Sequence, residues 1–125
     1  MELGIDMAKR QTDLSFIREN SFNNKEFIVD MLVLFLNTTP ALLEDLASYN
    51  TTQDWPQLSQ AAHKIKAQVL TFGMDEAAAL AHKIETDALA EQNLESINSS
   101  VTSLQEICNI AITEITADLE QLKSE

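Results

Sequence analysis

Asp54-Trp55-Pro56-Gln57-Leu58-Ser59-Gln60-Ala61-Ala62-His63-Lys64-Ile65-Lys66-Ala67-Gln68-Val69-Leu70-Thr71-Phe72-Gly73 is the stretch on which the fold turns. Asp54 is a favourable helix N-cap, Gln57 follows three positions later, and Pro56 falls in the first turn, where a missing N–H is harmless. Gly73 supplies the left-handed residue that closes a helix. Between these ends, at about 100° per residue, Leu58, Ala62, Ile65, Val69 and Phe72 gather within roughly 40° of one direction, the stripe expected of a helix buried in a bundle. His63 points about 140° away from that stripe. Lys66, Ala67 and Leu70 share its outer face, with Ser59 one turn earlier.

Working outward, the same pattern recurs. Thr12 or Asp13 caps a short helix to about Glu19, with Leu14, Phe16 and Ile17 as its apolar contacts. Asn23 and Glu26 have capping-box spacing, and Phe22 and Phe27 that of a hydrophobic staple. From Asn24, the positions Ile28, Met31, Leu32, Phe35, Leu42, Leu43 and Leu46 keep helical phase to about Tyr49. Pro40 either kinks this helix or starts a new one after a Thr39 cap; the phase persists across it, which favours the kink. The polar run Asn50–Gln53 is a turn. After Gly73, Asp75 and Glu76 open a helix whose inner face is Ala77, Leu80, Ala81, Ile84 and Ala88. Beyond Asn93, a last long helix carries Ile97, Val101, Leu104, Cys108, Ala111, Ile115, Leu119 and Leu122. Four substantial helices joined by short turns make an all-α protein, an antiparallel four-helix bundle with a short extra N-terminal helix. Residues 1–11 lack periodicity and read as a loosely held tail; residues 12–125 form the single domain.

Composition agrees and excludes several functions. The chain has 125 residues, 45% of them hydrophobic, with only two glycines and two prolines, which suits a compact helical domain. A net charge of −12 argues against nucleic acid as a partner, since phosphate contacts need clustered Lys and Arg. The absence of a long uninterrupted apolar run or a secretory pattern leads us to expect no membrane association and a soluble, cytoplasmic, monomeric protein. The lone Cys108 lies on an apolar stripe and reads as a small buried residue. Between Lys25 and Lys123 the only basic residues are Lys64, Lys66 and Lys83, and two of these stand beside His63. His63 is therefore the least acidic point on a long acidic surface.

His63-Lys64-Ile65-Lys66, with Gly73 ten positions after the histidine, resembles the motif of the histidine phosphotransfer (HPt) domain: His, any residue, apolar, Lys, Gly, then five residues and Gly. The resemblance spans about Asp13 to Leu122 and includes the Asp54-Trp55 entry, Ala61-Ala62-His63, and Ala81-His82-Lys83-Ile84-Glu85. In that family the histidine takes a phosphoryl group from a phosphoaspartate on a receiver domain and passes it to another receiver. The resemblance implies His63 as phosphoacceptor, Lys66 as the cation near the phosphoryl oxygens, and Gly73 as the structural glycine. Glu85, 22 residues after His63, matches the Gln or Glu that hydrogen-bonds the other ring nitrogen. Ala67 departs from the pattern, replacing the glycine after the lysine that lets a receiver approach closely. Ser59, Lys64, Ala67 and Leu70 are the expected docking contacts. The implied partners are a response-regulator receiver domain and a hybrid sensor kinase. No cofactor or metal is expected on this chain, the aspartate and Mg²⁺ belonging to the receiver.

The residue chemistry suits this role. Phosphoryl transfer depends mostly on positioning and charge stabilisation, so an exposed neutral nucleophile with a nearby cation suffices as acceptor. A carboxylate on Nδ1–H would turn the Nε2 lone pair outward. Rival functions lack their residues: a di-iron bundle needs paired Glu-x-x-His motifs, absent here, and the dimerisation helices of a sensor kinase carry an acidic residue after the histidine where Lys64 stands. The remaining alternative is a helical adaptor that binds receivers or a helical partner without carrying phosphate.

Overall fold

Long amphipathic stretches separated by two- or three-residue turns must fold back on one another to bury their stripes. The structure, a computed structural model, describes residues 10–125. It contains α1 (Ser15–Asn20), α2 (Lys25–Thr52), α3 (Trp55–Thr71), α4 (Asp75–Ala90) and α5 (Leu94–Lys123), with no strand among the described residues. The four long helices pack in a closed ring, α2 on α3, α3 on α4, α4 on α5 and α5 on α2, and α1 rests on α2. Two contacts show that α2 and α5 run antiparallel. Asn50 near the end of α2 bonds Asn98 near the start of α5 at 2.6 Å, and Lys25 at the start of α2 donates to the backbone carbonyl of Glu125 at 3.1 Å. The stripes meet inside, where Leu32, Leu46, Leu58, Val69, Ile84, Ile97, Leu104 and Ile115 are wholly removed from solvent. The buried stripe of α5 also includes Ile107.

Several helix ends differ from the sequence expectation, each for a local reason. Phe22 and Asn23 both take left-handed backbone conformations in the turn after α1. Asn23 is thereby spent on the turn, and the cap of α2 falls to Asn24, whose side chain accepts from Phe27 N–H at 3.1 Å. The expected staple is also missing, since Phe22 is 93% exposed and Phe27 half-exposed. Thr12 does not cap α1; Asp13 accepts from Ser15 N–H at 2.9 Å just ahead of it. α2 runs unbroken through Pro40 to Thr52, a turn beyond Tyr49. Thr39 is buried within it, where its hydroxyl and that of Thr38 accept from Gln68 of α3 at 2.6 and 2.7 Å. By length and composition α2 is also apolar enough to cross a membrane. Asp30, Asn37, Thr38 and Thr39 interrupt its apolar run, and Ile28, Leu32, Phe35, Leu43 and Leu46 are buried within the bundle.

The end of α3 is closed by Gly73. At φ +68° it sits at the left-handed position of a Schellman turn, with Gly73 N–H donating to Leu70 and Met74 N–H to Val69. The extended segment ahead of α1 lies directly across it: Asp13 N–H donates to the Phe72 carbonyl at 2.8 Å, and a Cβ on Gly73 would stand 2.7 Å from the Asp13 carbonyl oxygen. The same strap is fastened to α5. Glu114 accepts from the backbone N–H of Gln11 and Thr12 and from the Thr12 hydroxyl, at 2.7, 2.9 and 2.8 Å, and Arg10 pairs with Asp118. Of the segment expected to be loose, residues 1–9 lie outside the described residues, whereas Arg10 and Gln11 are tied down.

Candidate functional site

His63 occupies the middle of α3 because the stripe Leu58, Ala62, Ile65 and Val69 rotates it out of the core. Its side chain is 64% exposed, while Ala62 and Ile65 beside it are buried. α4 crosses alongside, packed more extensively on α3 than any other pair of helices in the bundle. The alanines Ala77, Ala78, Ala81 and Ala88 on its inner face permit that approach.

Their close packing brings Glu85 between His63 and Lys66. Glu85 Oε2 lies 2.8 Å from His63 Nδ1, and its Oε1 accepts from Lys66 Nζ at 2.7 Å. One carboxylate thus bridges the imidazole and the cation one turn beyond it. Partial burial pushes the Glu85 carboxyl up, but hydrogen bonds and charge from Lys66 and His63 outweigh it and hold the group below its ordinary value. An ionised carboxylate only accepts, so in this contact Nδ1 carries the proton, and Nε2 is the ring nitrogen left outside it. A family model of the Hpt domain matches residues 30–125.

The chain belongs to the Hpt-domain family. No curated protein and no solved structure gave a significant match. Hpt domains are phosphocarriers of two-component phosphorelays that interact with receiver domains, which assigns histidine phosphotransfer to this chain at that level.

The remaining residues named from sequence divide into two groups in this Hpt domain. Lys64, Ala67 and Leu70 lie exposed along α3 on the His63 side, Leu70 at 52%. Ser59 does not join them. It is 6% exposed, and its hydroxyl donates to the Glu85 backbone carbonyl at 3.0 Å, so it pins α3 to α4 and offers a partner no surface. At the surface edge of a helical stripe, spacing alone does not say whether a neighbouring helix covers the position. Gly73 lies at the base of α3, two turns beyond Lys66, and acts on the turn and the strap.

Sequence spacing also passed over His82. Its Nδ1 is 3.4 Å from Lys66 Nζ, where it accepts from the ammonium. The position three residues before Glu85, on the same side of α4, is the signal that would have found it. Lys83 is engaged elsewhere, bonding Asp87 at 3.1 Å and Ser96 at 2.8 Å and so securing the α4–α5 turn together with Asn93. Among the described residues no group of three or more His, Cys, Asp or Glu side chains is arranged to hold a metal ion. Cys108 is fully buried, and burial pushes its thiol up to about 12.

Proposed function

We propose that His63 Nε2 accepts a phosphoryl group from the phosphoaspartate of a receiver domain and returns it to another receiver, in a cytoplasmic relay from hybrid sensor kinase to response regulator. The observation that carries this reading is the Glu85 bridge between His63 Nδ1 and Lys66 Nζ, beside an otherwise open imidazole. In the forward step the Nε2 lone pair attacks phosphorus, the N–P bond forms, and the P–O bond to the aspartyl carboxylate breaks. The ring then carries positive charge with its proton still on Nδ1, and the Glu85 carboxylate stabilises that charge through the bond it already makes. Reversal against a second aspartate restores the neutral ring. Lys66, one turn away, supplies the cation for the phosphoryl oxygens. Catalysis by the receiver, including its Mg²⁺, completes the exchange.

The test is incubation with phosphorylated receiver domains from the same organism. The expected label is lost in acid, survives base, and is absent from His63→Ala, which keeps the helical spectrum of the parent. Label persisting on His63→Ala refutes the assignment. Lys66→Ala should slow transfer while remaining folded. A receiver that binds the parent chain without labelling it would favour the adaptor reading instead.

A further inference from the structure

Two contacts set the register of α3 against α4. His63 reaches Glu85, and Lys66, three residues further along α3, reaches His82, three residues back along α4. With the diagonal bond from Lys66 to Glu85, the four side chains form one line, His63 to Glu85 to Lys66 to His82, at 2.8, 2.7 and 3.4 Å. The two imidazoles at its ends are in opposite states. The Glu85 carboxylate only accepts, so His63 Nδ1 carries a proton; the Lys66 ammonium only donates, so His82 Nδ1 carries none and the proton of that ring is on Nε2. Although His82 is exposed, its one lone pair is thus turned to Lys66, and the nitrogen outside the contact has none to offer phosphorus.

A lysine ends a flexible four-carbon stem, and a single bond to Glu85 limits how far its ammonium strays without fixing where it points. A second acceptor one turn away on the same helix does fix it. Of the ammonium N–H groups, one then goes to Glu85 Oε1 and one to His82 Nδ1, and a third is left over. The neutral ring also holds the ammonium without cancelling its charge, which a second carboxylate would do. Lys66 accordingly lies drawn in between the helices, its side chain only 24% exposed.

We infer that His82 is a positioning residue for phosphoryl transfer, holding the Lys66 ammonium against α4 so that its remaining N–H meets the phosphoryl group on His63. The inference rests on the proposed phosphotransfer reading and adds to it a residue that acts only through Lys66.

The experiment uses His82→Leu, which removes the acceptor, and His82→Asn, whose amide oxygen stands near the place of Nδ1, each in the parent chain and in Lys66→Ala. Three quantities are read: labelling of His63 by phosphoramidate, whose P–N bond breaks with release of ammonia as N–P forms; binding of a receiver domain that binds the parent; and the nitrogen NMR signals of His82. His82→Leu is expected to slow phosphoramidate labelling about two- to fivefold, the worth of one modest hydrogen bond, and His82→Asn to recover the parental rate. In the Lys66→Ala background neither substitution should change the rate further, and in the parent background both should bind the receiver as the parent does. The His82 signals should show an unprotonated Nδ1 in the parent and move when Lys66 is replaced. A parental labelling rate in His82→Leu overturns the inference, as does an equal loss in the Lys66→Ala background. So does weakened receiver binding with parental phosphoramidate labelling, which would give His82 to docking. If His63 of the parent takes label from neither phosphoramidate nor a phosphorylated receiver, phosphotransfer falls, and the hold of His82 on Lys66 is decided by the nitrogen signals, where a protonated Nδ1 in the parent refutes it.

Discussion

Replacing Gly73 by alanine tests the physical account of how the bundle is closed beneath the site. At φ +68° an L side chain is strained by roughly 1–2 kcal/mol. The added Cβ would also stand 2.6 Å from Asp13 Cβ and 2.7 Å from its carbonyl oxygen, contacts that backbone cannot absorb without moving. Displacing Asp13 sacrifices its bond to the Phe72 carbonyl, worth about 0.5–1.5 kcal/mol net. The total is roughly 1.5–3.5 kcal/mol, and for a chain of this length that lowers the melting temperature by on the order of 10 °C. Thermal melts followed by circular dichroism measure it, and Gly73→Asn separates the two contributions, because asparagine tolerates the left-handed conformation yet carries the same Cβ. Ten residues of helix put Gly73 about 15 Å from His63 along α3, so labelling below the transition should survive. A Gly73→Ala melt within about 3 °C of the parent would refute both the strain and the close approach.

Three further outcomes follow from the geometry. Because the Glu85 carboxyl is held below its ordinary 4.5, its contribution to stability is complete above that value and disappears only as pH falls through the lower, folded value; a carboxyl carbon signal of Glu85 titrating at or above 4.5 would contradict the bridge. Gln68→Ala strips Thr39 of its partner and should cost about 1–2 kcal/mol, but distinctly less in a Thr39→Val background; a double-mutant cycle with no coupling would dismiss the latch. Cys108, with its thiol raised to about 12 by burial, should resist alkylation in the folded chain at pH 8 and react promptly in denaturant; rapid labelling of the native protein would show that α5 is not packed as described.

The helices were legible because each stripe follows one period and each turn carries its own chemistry. Asp54, Gly73 and the persistence of phase through Pro40 are local signals, and α3 and the unbroken α2 follow from them. The failures arise where a neighbouring element decides. Asn23 has the spacing of a cap but is taken by a left-handed turn, and Ser59 lies on the edge of a face that α4 covers. His82 gains its contact from α4 lying over α3. The demand for glycine at position 73 depends on a strap some sixty residues away. None of these is written in a single helix.

Glu85 also sets how much of the Lys66 charge is left for phosphate. In the resting site the Lys66 ammonium is already paired with the Glu85 carboxylate, so it serves arriving phosphoryl oxygens only by dividing itself between them and that carboxylate. On the proposed reading, the phosphohistidine is consequently bound without a deep energy well. Such a group remains easy to surrender to the receiver that follows.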